Sequence, residues 1–320
     1  MENSRPLELL KTRTFSEKIS DAFVLIRVNF GVLFKAHGFI SLPIIILFAA
    51  LFVVLFRDYF SLLTTLESGP FADVLVRREN FARYSLFMLF AYLAATPVVI
   101  VTLAVVDRYS RHPEQKVTFE EVWSTVRQKF LKLFLLRLLI APLAAMAYFT
   151  LFMPMGPSLT PLNVTISILM LFPGMAFITL FLPADLLILQ HNYPVGKAIR
   201  RSFTIMGQNF WSAFGATVGI ALIYLSFSLL MLIPGEVLKM VEELTVGYRE
   251  PSSWWGIFLT SLRGFNTIAG FVLFAIPIAG IGIQYFTIRE TVARAGIMER
   301  IRSIGVEEQK VNIYVEDEQY

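Results

Sequence analysis

Few side chains in this 320-residue sequence are of a type that does chemistry, and their spacing is unhelpful to catalysis. There are no cysteines, so disulfides, zinc–thiolate sites, iron–sulfur clusters and thiol nucleophiles are excluded. The three histidines, His37, His112 and His191, belong to no H-E-x-x-H or H-x-x-E pattern. They fall in polar segments or at the edges of apolar runs, where an interfacial or loop role is expected. No phosphate-binding G-x-x-x-x-G-K-[ST] loop and no G-x-S-x-G elbow occurs. Gly270, Gly280 and Gly282 lie in an apolar run without the strand–turn–helix setting of a dinucleotide fingerprint, and read as points of close helix packing. The expectation is no catalytic residue, no cofactor and no metal.

Two charged residues are the exception. Arg137 stands in LFLLRLLIAP and Asp185 in FLPADLLILQ, both within runs otherwise apolar. Charges at such positions are costly and face a bundle interior or water. If the two runs are antiparallel spans, the residues lie toward the same side and form a candidate intramembrane pair. A substrate or proton site is one reading. A plain ion pair, or charges snorkelling to the interface, is the other.

What must position these residues follows from composition. Hydrophobic residues make up 56% of the chain and charged residues 16%, against about 25% in an average soluble domain. Mean hydropathy is +0.65. A disordered chain is ruled out and an ordinary soluble globule disfavoured. A bilayer core takes about 20 apolar residues per helix. Six stretches qualify: 38–56, 81–106, 133–153, 161–190, 210–234 and a span within 256–288. The fold expected is an all-α polytopic membrane bundle of six transmembrane helices. Residues 1–37 form a cytoplasmic N-terminal segment with an amphipathic helix, 38–288 the membrane domain, and 289–320 a cytoplasmic C-terminal helix and tail. The first span acts as an uncleaved signal anchor.

Charge placement orients the bundle. Of 28 Lys and Arg residues, 20 fall on the side of both termini and six on the other. This positive-inside bias puts both ends in the cytoplasm. The net charge of +4 is therefore read as attraction to anionic lipid, not to nucleic acid.

The odd-numbered spans share an introduction. Phe23–Phe34 (FVLIRVNFGVLF) and Phe203–Phe214 (FTIMGQNFWSAF) both read F-x5-N-F-x3-F. Trp123–Phe134 (WSTVRQKFLKLF) fits with Trp for Phe and Lys for Asn. The repeat anchors are Phe23, Trp123 and Phe203, then Phe30, Phe130 and Phe210. Apolar residues recur at helical spacing. Lys18 and Arg27 in the first copy and Lys197, Arg200 and Arg201 in the third occupy the other face as candidate lipid-facing basic residues. Thr14–Glu17 and Thr118–Glu121 read as capping boxes. Three repeats of an interfacial amphipathic helix plus a two-span hairpin are expected. On the far side, 235–253 is expected to form a short separate amphipathic helix, and Trp254 with Trp255 an interfacial belt before Arg263 and Asn266.

The segment Val195–Gly215 (VGKAIRRSFTIMGQNFWSAFG) and the ending Gly282–Gly296 (GIQYFTIRETVARAG) resemble a group of uncharacterised six-span bacterial membrane proteins. That group is related to the membrane domain of glycerophosphoryl diester phosphodiesterases. The resemblance implies the membrane module without the hydrolase, and supplies no catalytic residue. It also implies the bacterial inner membrane. The function expected is a non-enzymatic scaffold or accessory module that binds the lipid bilayer, anionic lipids, a membrane-protein partner or a second copy. The alternative is a transporter, channel or lipid-handling protein whose path is lined by polar residues of spans three and four.

Overall fold

In a computed structural model, residues 7–55, 78–152, 172–181, 183–245, 258 and 273–293 are described. Among them all regular structure is helical. The helices are α1 (Phe15–Val28), α2 (Phe30–Ala36), α3 (Leu42–Leu55), α4 (Arg78–Arg111), α5 (Phe119–Phe152), α6 (Pro183–His191), α7 (Val195–Gln208), α8 (Phe210–Thr245) and α9 (Ala275–Ala293). A π-helical turn, His37–Ser41, joins α2 to α3. Four stretches are long and apolar enough to cross a membrane: Phe30–Phe48, Tyr92–Arg111, Phe172–His191 and Phe210–Leu230. The tract Trp254–Trp255, Arg263, Asn266 and everything beyond Ala293 lie outside the described residues.

Local sequence explains where these helices start and stop. Both capping boxes form. Thr14 N–H donates to Glu17 Oε2 at 2.7 Å, and Thr118 N–H to Glu121 Oε2 at 3.1 Å. In each case the glutamate's own N–H returns a bond to the threonine hydroxyl, satisfying orphan donors of the first turn. The asparagine of the repeated motif is a helix breaker. Asn29 (φ −103°, ψ 15°) ends α1 and Asn209 (φ −132°, ψ 41°) ends α7. A short amide side chain competes for backbone groups and disfavours helix interiors. Asn29 Nδ2 does so visibly, donating to the Leu25 carbonyl at 2.9 Å. Lys129 holds the same place in α5, and lysine is a good helix former. There the break is missing: α5 runs unbroken for 34 residues, about 50 Å at 1.5 Å per residue. The middle introduction is thus continuous with its span.

The far side also differs from expectation. Residues 235–245 make no separate helix. They extend α8 through Pro234 to Thr245, giving 36 residues in one element.

Burial ranks the helices. The stretch Tyr92–Arg111 of α4 is 83% buried, whereas Phe30–Phe48 is 28% and Phe210–Leu230 only 22%. Helix α4 is therefore the hub, touching α3, α5, α6 and α9. Ile100 and Leu103 of α4 meet a core that holds Leu133 and Leu136 of α5, Leu186 to Leu189 of α6, and Tyr285 and Phe286 of α9. Small residues let backbones approach. A Cβ on Gly282 would lie 3.0 Å from Val106 Cγ1, and one on Gly280 would lie 2.7 Å from Ile220 Cδ1. The outer faces carry exposed Ile46, Leu47 and Leu51 on α3, and Leu222, Leu225, Leu229 and Leu230 on α8. So much contiguous apolar surface is unsuited to water and suited to lipid.

Candidate functional site

A buried ion pair lies between α5 and α6. Arg137 Nη2 donates to Asp185 Oδ2, and Arg137 Nη1 to the Tyr92 hydroxyl at 3.3 Å. Arg137 is 5% exposed and Asp185 fully buried. Neither charge reaches a surface, so snorkelling does not describe them. Two residues named from sequence are brought together, and Tyr92 of α4 joins them. Its place 45 residues from Arg137 left no trace in local spacing. Arg137 Nε and Asp185 Oδ1 find no hydrogen-bond partner among the described residues.

A second buried set was not legible as a site. His37 is 6% exposed, with Nδ1 3.0 Å from Ser41 Oγ and Nε2 3.3 Å from Thr102 Oγ1. It is a core residue of the π-helical turn, not the interfacial or loop histidine that the sequence suggests. The i, i+4 spacing of His37 and Ser41 was the available signal. Thr102, 65 residues on, supplied none.

The third set surrounds the C-terminus of α6. Helix C-termini expose carbonyls and partial negative charge, which cations satisfy. Arg111 Nη2 donates to the carbonyls of Leu189 (3.1 Å) and Gln190 (3.3 Å), and Lys129 Nζ also donates to Leu189. Lys132 Nζ donates to Asn192 Oδ1 at 2.9 Å. Arg289 Nη1 and the Tyr285 hydroxyl both donate to Gln190 Oε1, at 3.0 and 3.2 Å. Asn192 turns the chain with φ 53°, a left-handed conformation that asparagine tolerates. Lys197 Nζ then sits 4.2 Å over the Tyr193 ring. Desolvation pulls the Lys129 ammonium below its ordinary range.

The basic residues proposed to face lipid divide. Arg27, Lys197, Arg200 and Arg201 are exposed. Lys18 is not: it is 5% exposed, with Nζ 3.5 Å from Ser212 Oγ. The reason is that α1 packs against protein. Phe15 covers Gly219, Phe23 meets Phe227 edge-on at 6.1 Å, and Ile19 and Ala22 line a small apolar cavity with Ile220, Ile223 and Ile276. Burial lowers the tendency of Lys18 to carry its charge, and Arg13 adds to this.

Of the six aromatic anchors, Phe30, Trp123 and Phe203 are exposed, and Phe23, Phe130 and Phe210 are half-buried. Phe30 stacks on Phe34, Phe130 on Phe134 and Phe210 on Phe214, with centroids 6.1, 5.8 and 5.6 Å apart. Trp123 is 45% exposed, and Phe203 lies edge-on to Phe181 at 4.9 Å. No cluster of three or more metal-ligating side chains occurs among the described residues.

No family model matches the chain, and no curated protein or solved structure is significantly similar to it.

Proposed function

We propose that the chain is a non-catalytic integral module of the bacterial inner membrane, related to the membrane domain of glycerophosphoryl diester phosphodiesterases. It has six spans and both termini in the cytoplasm. It holds anionic lipid or a membrane partner at its basic cytoplasmic face. The observation that carries this reading is the largely apolar packing around α4 among the described residues. Val98, Ile100, Leu103 and Val105 are buried in apolar packing, and the small cavity beside α1 is apolar and excludes Arg137 and Asp185. A module that binds at its surface needs no passage through its centre.

The threefold repeat belongs to the same reading. Three equivalent stacked phenylalanine pairs, two capping boxes and two asparagine breaks support it. Two departures are the unbroken α5, traceable to Lys129, and the start of α7 at Pro194, which has no side-chain cap.

A transport function is the second reading, favoured by the unpartnered atoms of the Arg137–Asp185 pair. Asn163, a further candidate for lining a path, lies outside the described residues.

The test is purification of the full chain into nanodiscs from native membrane, with mass spectrometry of retained lipids and proteins. Reproducible enrichment of anionic lipid or of one membrane protein over bulk membrane supports the module. Bulk-like lipid with no enriched protein overturns it. Topology is tested separately: single cysteines at Ser4 and Ser303 should resist an impermeant reagent in intact cells, and labelling of either would exclude both termini inside.

A further inference from the structure

We propose that the elbow between α6 and α7 is a binding site for the phosphate of an anionic phospholipid, with the acyl chains laid along the outer face of α5. This rests on the membrane-module reading above and names a particular ligand site within it. Lys132 and Arg289 are its headgroup contacts, two residues outside the basic helix faces already described.

The geometry begins with convergence. Cations from three separate helices meet three residues of one short stretch, Leu189, Gln190 and Asn192. They are Arg111 from α4, Lys129 and Lys132 from α5, and Arg289 from α9. Among the described residues, Arg111 alone of these four makes an ion pair, with Asp107 at 3.1 Å. Lys129, Lys132 and Arg289 are held by carbonyl or amide oxygens, which orient a cation without cancelling its charge. Positive charge is therefore concentrated at this locus, where the Asp107 carboxylate acts on Lys129 as well as on Arg111. Glu290, the carboxylate next along α9, is buried.

Donor capacity is left over as well. An ammonium has three N–H donors and a guanidinium five. Lys132 spends one on Asn192, and its side chain is exposed. A phosphodiester offers two charged oxygens, and such charge-assisted bonds are stronger than neutral ones. Arg111, Lys129 and Gln190 fix the α6 terminus, so the elbow is ordered before any ligand arrives.

The apolar track identifies the phosphate as a lipid's. On α5, positions 132, 135 and 139 share one helix face by i, i+3, i+7 spacing. Leu135 and Leu139 are 49% and 61% exposed, and Leu131 beside them 67%. A headgroup at Lys132 would thus continue directly into an exposed leucine stripe running into the bilayer. A soluble phosphate would use the cations and leave that stripe unused.

Native mass spectrometry of the detergent-solubilised full chain provides the test, with dioleoyl phosphatidylglycerol, dioleoyl phosphatidylcholine and inorganic phosphate as probes. The wild type should retain phosphatidylglycerol in preference to phosphatidylcholine. Each basic residue near a membrane surface is worth about fivefold in binding, so Lys132→Gln with Arg289→Gln should weaken retention about 25-fold. The conservative pair Lys132→Arg with Arg289→Lys should restore most of it, which separates lost charge from misfolding. Leu135→Ser with Leu139→Ser should weaken phosphatidylglycerol without affecting inorganic phosphate. If the wild type prefers phosphatidylglycerol and the Gln pair retains it equally, the elbow is not the site, though the module reading stands. If the wild type shows no preference among the lipids, the site and the lipid-binding part of that reading both fall. Saturable inorganic phosphate binding without any lipid preference would assign the elbow to a soluble anion and overturn the proposal.

Discussion

Removing one member of the Arg137–Asp185 pair should destabilise the protein far more than removing both. Arg137 and Asp185 are 5% and 0% exposed, so neither can recover hydration in the folded state. In Asp185→Asn, the guanidinium keeps its charge, its Tyr92 contact at 3.3 Å and an already unpartnered Nε, but loses its counter-ion. An uncompensated buried charge of this kind costs about 3–5 kcal/mol. In Arg137→Met with Asp185→Leu, both desolvation penalties vanish and apolar volume replaces them. Such replacements range from neutral to stabilising by about 1–4 kcal/mol. The double variant should then be more stable than Arg137→Met or Asp185→Leu alone, with a coupling energy of about 2 kcal/mol or more in the cycle that these three and the wild type close. Reversible unfolding of the four proteins and of Asp185→Asn in mixed micelles, followed by circular dichroism, measures this directly. Additive losses would refute the reasoning, because additivity means the two charges do not compensate each other. A loss below about 1 kcal/mol in Asp185→Asn would refute it equally, since water would then be reaching the site.

Three further outcomes follow from local geometry. Asn209→Leu should straighten the α7–α8 joint, so that spin labels at positions 197 and 215 move to about 27 Å apart, the length of an 18-residue helical rise; an unchanged distance would show that tertiary packing, not Asn209, bends the chain. Gly282→Leu should cost more than about 2 kcal/mol by driving side-chain atoms into Val106, whose Cγ1 already lies 3.0 Å from a Cβ at 282, whereas Gly207→Ala, with nothing within 4 Å, should be neutral or stabilise by up to about 1 kcal/mol in thermal unfolding. The Arg108 bond to Glu121, with the Thr118 N–H, holds that carboxyl below its ordinary value of 4.5, so its stabilising effect is complete above that value and is lost as pH falls through the lowered folded one. Amide exchange at the start of α5, corrected for intrinsic rates, should therefore quicken on acidification in the wild type and not in Glu121→Gln.

Much of the architecture was legible because it is local. The T-x-x-E boxes at Thr14 and Thr118 need only four residues to form, and both do. The Asn-Phe pairs were legible as repeat markers, whereas the helix breaks at Asn29 and Asn209 and their absence at Lys129 came with the structure. Arg137 and Asp185 stood out because a charge in an apolar run must find a partner, and each was the other's nearest opposite charge in an antiparallel pairing. The faces of α1 were less legible. The pattern sets Lys18 opposite the apolar stripe, yet Lys18 shares the buried i, i+4, i+7 face with Ala22 and Leu25 while Ile19, Phe23 and Ile26 are half-buried, because spacing cannot tell whether lipid, water or another helix covers a face. Gly219 and Ser212 of α8 lie about 200 residues away, and they decide that Lys18 is buried.

By itself, the sequence determined an all-helical chain, the apolar stretches and the capping boxes. These depend on composition and on contacts within a few residues along the chain. Only the tertiary structure decided that α4 is the hub, that His37 lies in the core beside Thr102, and that Lys129, Lys132, Arg111 and Arg289 gather on the end of α6. The physical reason is that periodicity fixes which face of a helix is apolar, whereas burial and charge pairing depend on which other helices are folded against it.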